Sequence, residues 1–199
     1  MPRKVDHGQR RELLADALMR LAAAHGLEGV SLRHVAAEAG VSTGMVQHYF
    51  RNKDEMMTFA LGMVGSRIRA RTDAVGAPAA SPRELVRGVL LQILPLDETR
   101  RLEGHVGLAF LAYAAVKPAI QEGLRTDAAG MREFIAQQLR ATGADGIDPE
   151  LAATGLLALA DGLGVQVLSG QYAETHAAAV LDAHLDLLFG KPSRDVDSS

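Results

Sequence analysis

The chain has 199 residues, 48% hydrophobic and 23% charged, a balance that lets a globular protein bury a sizeable core. It contains no cysteine, which excludes disulfides, thiolate metal sites and a cysteine nucleophile; it also lacks tryptophan, so the core must be aliphatic. The charged start, MPRKVDHGQRRELL, has no apolar signal core, and runs such as LLALA at 156–160 fall short of the ~20 residues that span a bilayer, so no membrane association and a cytoplasmic location are expected.

Residues 1–9 read as a polar arm. Apolar spacing at Leu13, Leu14, Ala17, Leu18 and Leu21 predicts a first helix from about Gln9 to His25, broken by Gly26 and Gly29. Ser31 suits the cap of a second helix over 32–39, and Gly40 ends it. Ser42 or Thr43 starts a short third helix that ends at Tyr49–Phe50. A fourth runs from Asn52-Lys53-Asp54 to about Thr72. After an Ala/Gly/Pro/Ser-rich loop over 74–82, only helical patterns follow: 82–94, 97–116, 118–142, 149–169 and 173–189. Residues 191–199 are expected to be disordered. The predicted class is all-α, with about nine helices: an N-terminal three-helix helix-turn-helix head and a C-terminal helical bundle. The division is an arm and helix-turn-helix head over 1–52, a linking helix over 53–73, and a helical body over 82–190.

The net charge of −3 hides an uneven distribution. Residues 1–72 carry 11 Lys and Arg against 7 Asp and Glu, and the remainder carries 10 against 17. A basic head on an acidic body can meet a polyanion at one end.

The stretch LRHVAAEAGVSTGMVQHYF, 32–50, has the makings of two short helices crossing tightly. Ala36 is small where helices would touch, and Gly40 tolerates the positive φ of a turn. Val35, Ala39, Val41, Val46 and Phe50 are spaced to lock the pair onto the first helix. Thr43, Gly44, Gln47 and His48 are left facing outward, where Gln can pair with adenine and the others with bases or phosphates. Gly44 removes bulk where backbone approaches a groove. Lys53, at the start of the fourth helix, and Ser31 with Arg33, at the start of the second, are placed to hold phosphates. Ser42 and Tyr49 complete the candidate DNA-binding set.

Residues 9–60 resemble the DNA-binding head of the TetR family. The resemblance rests on the first-helix stripe, G-x-x-G-V-S-L at 26–32, A-x-x-A-G-V-S at 36–42, and H-Y-F followed by R-N-K-D-E at 48–55. It implies that Thr43, Gln47, His48, Tyr49 and Lys53 face DNA. Gln47 departs from the family, which often has Tyr there. The segment 94–114 resembles the subgroup of choline-responsive repressors. These resemblances imply a DNA-binding domain over 1–52 and a ligand-binding and dimerisation domain over 82–190, in a homodimeric repressor that binds a palindromic operator in double-stranded DNA and is released by a small-molecule effector.

Within the implied body, the candidate effector-binding residues are His105, Phe110, Tyr113, Met131, Phe134, Gln138 and Asp161. Asp161 stands out as a charge within an apolar helix and needs a partner if buried. An aromatic cage for a quaternary amine is not evident. Leu156, Leu159, Leu163 and Val167 form one helical stripe, and Val180, Leu181, His184 and Leu188 another; both are candidate dimer surfaces. One alternative keeps this fold but makes the protein an activator or an architectural DNA binder. Another is a helical-bundle enzyme or metal protein, for which His176, Asp182, His184 and Asp186 are the nearest cluster. No catalytic or dinucleotide motif appears, so no enzyme, cofactor or metal is expected.

Overall fold

In a computed structural model, residues 7–26, 30–75, 81–143 and 146–190 are described. Nine helices and no strands occur among them: α1 (His7–His25), α2 (Leu32–Glu38), α3 (Thr43–Tyr49), α4 (Lys53–Val75), α5 (Pro82–Ile93), α6 (Glu98–Ala114), α7 (Pro118–Thr142), α8 (Pro149–Leu168) and α9 (Glu174–Phe189). The disorder expected for 191–199 and residues 1–6 of the arm expected over 1–9 lie outside the described residues, as do Gly29 and the loop residues 76–80; residues 7–9, expected in the arm, belong to α1.

Local chemistry sets the helix boundaries. Ser31 accepts a hydrogen bond from the His34 amide at 3.3 Å, and Ser42 accepts one from Met45 at 3.2 Å. Ser81 and Glu84 form a reciprocal capping box, with Pro82 in the first turn. Asp97 and Asp148 cap α6 and α8 through their carboxylates. Each side chain satisfies amides that the helix itself leaves without acceptors.

The chain packs as two compact units that interleave along the sequence. The first comprises Met1–Ala70 and Asp97–Leu124, and the second Arg71–Leu96 and Arg125–Ser199. In the first core, Leu14 and Leu18 of α1 meet Val35, Ala36, Val46 and Phe50 of the short helices. Met56, Met57 and Ala60 of α4 join them, together with Val106 and Phe110 of α6. Although α6 falls in the segment expected to form the body, it packs with the head, and α1 and α6 are direct neighbours. In the second core, Val86 and Leu90 of α5 meet Ile135 and Leu139 of α7, Leu156 and Leu163 of α8, and Leu181 and Leu185 of α9. An ion-pair ladder ties α5 to α9: Arg83 reaches Asp186 at 2.5 Å, and Arg87 reaches Asp182 at 2.5 Å.

Candidate nucleic-acid interface

The two short helices are joined by a turn whose hydrogen bonds are all local. The Gly40 amide donates to Ala37 O at 3.2 Å, and the Val41 amide donates to Ala36 O at 2.9 Å. Gly40 has φ of +66°, where a β-carbon would be strained. The chain therefore reverses within two residues, and Ser42 at once caps the next helix. Val46 and Phe50 are fully buried beneath α3, which fixes the helix's rotation. That rotation leaves Gly44, Gln47 and His48 exposed, with Thr43 and Tyr49 half-buried at the margins.

Ser31, Arg33 and Ser42 are also exposed, and Lys53 is half-buried at the start of α4. Both serine hydroxyls are already occupied as acceptors by their capping bonds, but each keeps a proton to donate. Around Gly44 a β-carbon would meet only the Ser42 hydroxyl, at 3.9 Å. Among the described residues nothing demands glycine there, and glycine weakens a helix by about 1 kcal/mol relative to alanine.

The start of α4 is braced from two sides. Asn52 caps the helix by accepting from the Glu55 amide at 2.9 Å. Glu55 in turn accepts from the Arg51 amide and guanidinium, at 3.0 and 3.1 Å, and these bonds hold its carboxyl below the usual glutamate range. The Tyr113 hydroxyl of α6 donates to Asp54, and the ammonium of Lys117, which follows α6, lies 3.7 Å from the same carboxylate. The bond to Asp54 raises the Tyr113 hydroxyl above its ordinary pKa, because loss of its proton would set two anions side by side. Arg11 of α1 lies over both Phe50 and Phe59, 4.7 and 4.4 Å from the ring centroids. Sequence reading missed the contacts from Tyr113, Lys117 and Arg11, since they join residues far apart in the chain.

The candidate effector residues do not form one group within either unit. His105, Phe110 and Tyr113 belong to the first unit, and Met131, Phe134, Gln138 and Asp161 to the second. Phe110 is 1% exposed within the head core, so its ring is a packing element. Tyr113 has its hydroxyl on Asp54. Met131 and Phe134 pack at the edge of the second core. Asp161 is exposed in the protomer, with Leu157, Ala158, Gly164 and Val165 one helical turn to either side.

Partial desolvation raises the Asp161 carboxyl above the ordinary aspartate value of 3.8, even though the side chain keeps contact with solvent. The folded chain thus binds this proton more tightly than the unfolded chain. Stability contributed at low pH is lost as pH rises from about 3.8 through the folded value. Asp161→Asn removes that penalty. The variant is expected to melt above the parent at pH 7, with the difference closing as the pH falls to 3.8 and below. A parent that melts higher at pH 7 would show that the carboxylate has a stabilising partner.

The candidate dimer stripes divide by burial. Leu156, Leu163, Val167 and Leu181, expected at a subunit interface, are buried in the core of their own unit. Leu159, Val180 and Leu188 are half-buried and His184 is exposed. The outward face of α8 instead carries Leu151, Gly155, Ala158, Gly162 and Val165, all exposed, at alternating steps of four and three residues. Leu151 is 72% exposed. By length and composition α8 is apolar enough to cross a membrane, with 28% of its most apolar window buried. On α9 a parallel stripe runs through His176, Val180, Ala183 and Leu187, the last 76% exposed. Asp182 and Asp186, half of the nearest metal-like cluster, are engaged by Arg83 and Arg87. Among the described residues no group of three or more such ligands converges.

Residues 14–58 match the family model for bacterial regulatory proteins of the tetR family, and residues 82–190 match that for the C-terminal part of BetI-type transcriptional repressors. The chain is 35% identical to the HTH-type transcriptional regulator PksA of Bacillus subtilis, over 84% of this chain and 83% of that protein. It is 30% identical to the regulator BetI of Paraburkholderia phytofirmans, over 90% of this chain and 93% of that protein. A transcriptional regulator from Rhodococcus sp. Rha1 superposes with a TM-score of 0.83 at 37% identity, covering 89% of this chain and 95% of that one. A regulator from Saccharomonospora viridis, solved in complex with choline, also gives 0.83, at 25% identity over 90% of this chain and 96% of its own.

Proposed function

Because the chain belongs to the TetR family of bacterial transcriptional regulators, we propose that it is a cytoplasmic, homodimeric repressor released from a palindromic operator by a small-molecule effector. The observation that carries this reading is the exposed outer face of α3. Its polar residues Gln47 and His48 stand clear of the protein, beside a glycine that the chain's own packing does not require. An α-helix presented this way fits the major groove of B-DNA, where Gln pairs bidentately with adenine. Thr43, Tyr49 and Lys53 flank that helix as phosphate ligands, with Ser31, Arg33 and Ser42 as the outer ring.

A dimer follows from the same requirement. Two heads about 34–36 Å apart read half-sites one turn of DNA apart. The outward stripes of α8 and α9 supply an apolar, small-residue face suited to a second copy of the chain. The segment 82–190 is the effector-binding and dimerisation part, with Met131, Phe134 and Gln138 on α7 as candidate effector contacts. The choline-bound relative supports a small organic effector. The α4 helix carries the signal: it runs from Lys53 at the DNA face through Ala70 and continues into the second unit at Arg71. By linkage, operator DNA must weaken the effector by the factor that the effector weakens DNA.

Replacing Tyr49 and Lys53 together with alanine is expected to weaken DNA binding by at least ~tenfold, since each is a hydrogen bond to a charged group. Loss of the one cation should also lower the salt slope by about one. Fluorescence anisotropy on duplexes selected from genomic DNA, with sedimentation to follow the dimer, reads both. Unchanged affinity would overturn the interface.

A further inference from the structure

His7, the first residue of α1, stacks on Tyr49 of α3, with ring centroids 4.7 Å apart and planes inclined by 53°. His48 meets the same phenol ring edge-on at 5.1 Å. Both imidazoles are exposed, and among the described residues neither forms a hydrogen bond or an ion pair. The nearby charged side chains on the supporting elements are Arg10, Arg11 and Glu12 of α1, and Arg51, Lys53, Asp54 and Glu55 around the start of α4. Arg11 and Arg51 pair with Glu55, while Asp54 is held by Tyr113 and Lys117. The carboxylates at the start of α4 are therefore engaged elsewhere, and the three-ring cluster presents two uncommitted imidazoles beside the outer face of α3.

We propose that His7 is a DNA-backbone ligand: held on Tyr49, its imidazolium binds a phosphate next to the reading helix, and forming the complex takes up a proton from solvent at that ring. This rests on the reading that α3 enters DNA. Imidazole is the side chain whose charge changes between pH 5 and 8. A phosphate at hydrogen-bond distance favours its charged form. Operator affinity must then rise as pH falls, because the bound state holds more protons than the free state. His48 can add to the same effect, so the part due to His7 is read as a difference between variants.

The test uses the full chain and a duplex recovered by selection from a random-sequence pool, with anisotropy across a salt series at pH 6 and pH 8. The parent is expected to bind more tightly at pH 6. His7→Gln should lose about fivefold at pH 6 and under ~twofold at pH 8, with a salt slope shallower by about one at pH 6. His7→Lys keeps a cation at both pH values and should restore affinity while flattening the pH dependence. A His7→Gln protein that tracks the parent at both pH values overturns the proposal and leaves the regulator reading standing. An equal loss at both pH values overturns proton uptake at His7. If the parent selects no duplex at all, the regulator reading fails, and the proposal fails with it.

Discussion

Ala158→Glu should turn the protein into a monomer without unfolding it, and should weaken operator binding by about a hundredfold or more. Ala158 is exposed at the centre of the α8 stripe, flanked by Gly155 and Gly162 one turn to either side. In the isolated protomer a glutamate there projects into water and costs little. In a two-fold dimer every substitution occurs twice, so two carboxylates would enter one apolar seam. Burying a charge without a partner costs roughly 3–5 kcal/mol, enough to separate subunits at micromolar concentration. Operator affinity falls because linking two heads makes the second contact intramolecular, a gain on the order of a hundredfold to ten-thousandfold. Analytical ultracentrifugation and anisotropy read the two effects, and circular dichroism checks that helicity is retained. A variant that stays dimeric would place the interface elsewhere.

Phe50→Ala should lower the melting temperature by about 6–20 °C and abolish DNA binding at 37 °C. The Phe50 side chain is fully buried at the end of α3, 5.6 Å from the Phe59 ring between centroids and beneath the Arg11 guanidinium. Truncating a buried Phe typically costs ~3–5 kcal/mol, from transfer and from the cavity left behind. For a chain of this size, 1 kcal/mol shifts the midpoint by about 2–4 °C. Arg11 would also lose one of the two rings that shield its cation. Differential scanning calorimetry gives the shift directly. A midpoint within ~2 °C of the parent would mean that the head fills the cavity by repacking.

These two sites differ in how far they were legible from sequence. The caps at Ser31 and Ser42 and the turn at Gly40 were readable because a helix end is satisfied by residues within four positions of it. The burial of Val46 and Phe50 followed from their spacing against that turn. In α8 the same method failed. An apolar stripe marks the inner face only when the opposite face is polar. Here Leu156 and Leu163 make one acceptable stripe, and Leu151, Ala158 and Val165 make another. Only packing against α5 and α9 decides between them, and it turns the first stripe inward. Leu13 shows the same ambiguity on a smaller scale: it sits within the predicted stripe of α1 yet is 41% exposed, while Ala15 and Met19 are buried. The His7–Tyr49 stack and the Tyr113–Asp54 bond left no sequence signal, since neither rests on a local pattern.

The interleaving of the two units also governs how the protein is made. The core beneath α3 includes Val106 and Phe110, which the ribosome adds more than fifty residues after Phe50. At ~5–20 residues per second, the nascent helix-turn-helix waits several seconds for the side chains that complete it. During that interval Leu14, Leu18 and Met57 lack part of their final cover, so the newborn head is the stage most exposed to proteases and holding chaperones. A gene fragment that stops after α4 would leave the head permanently at that stage.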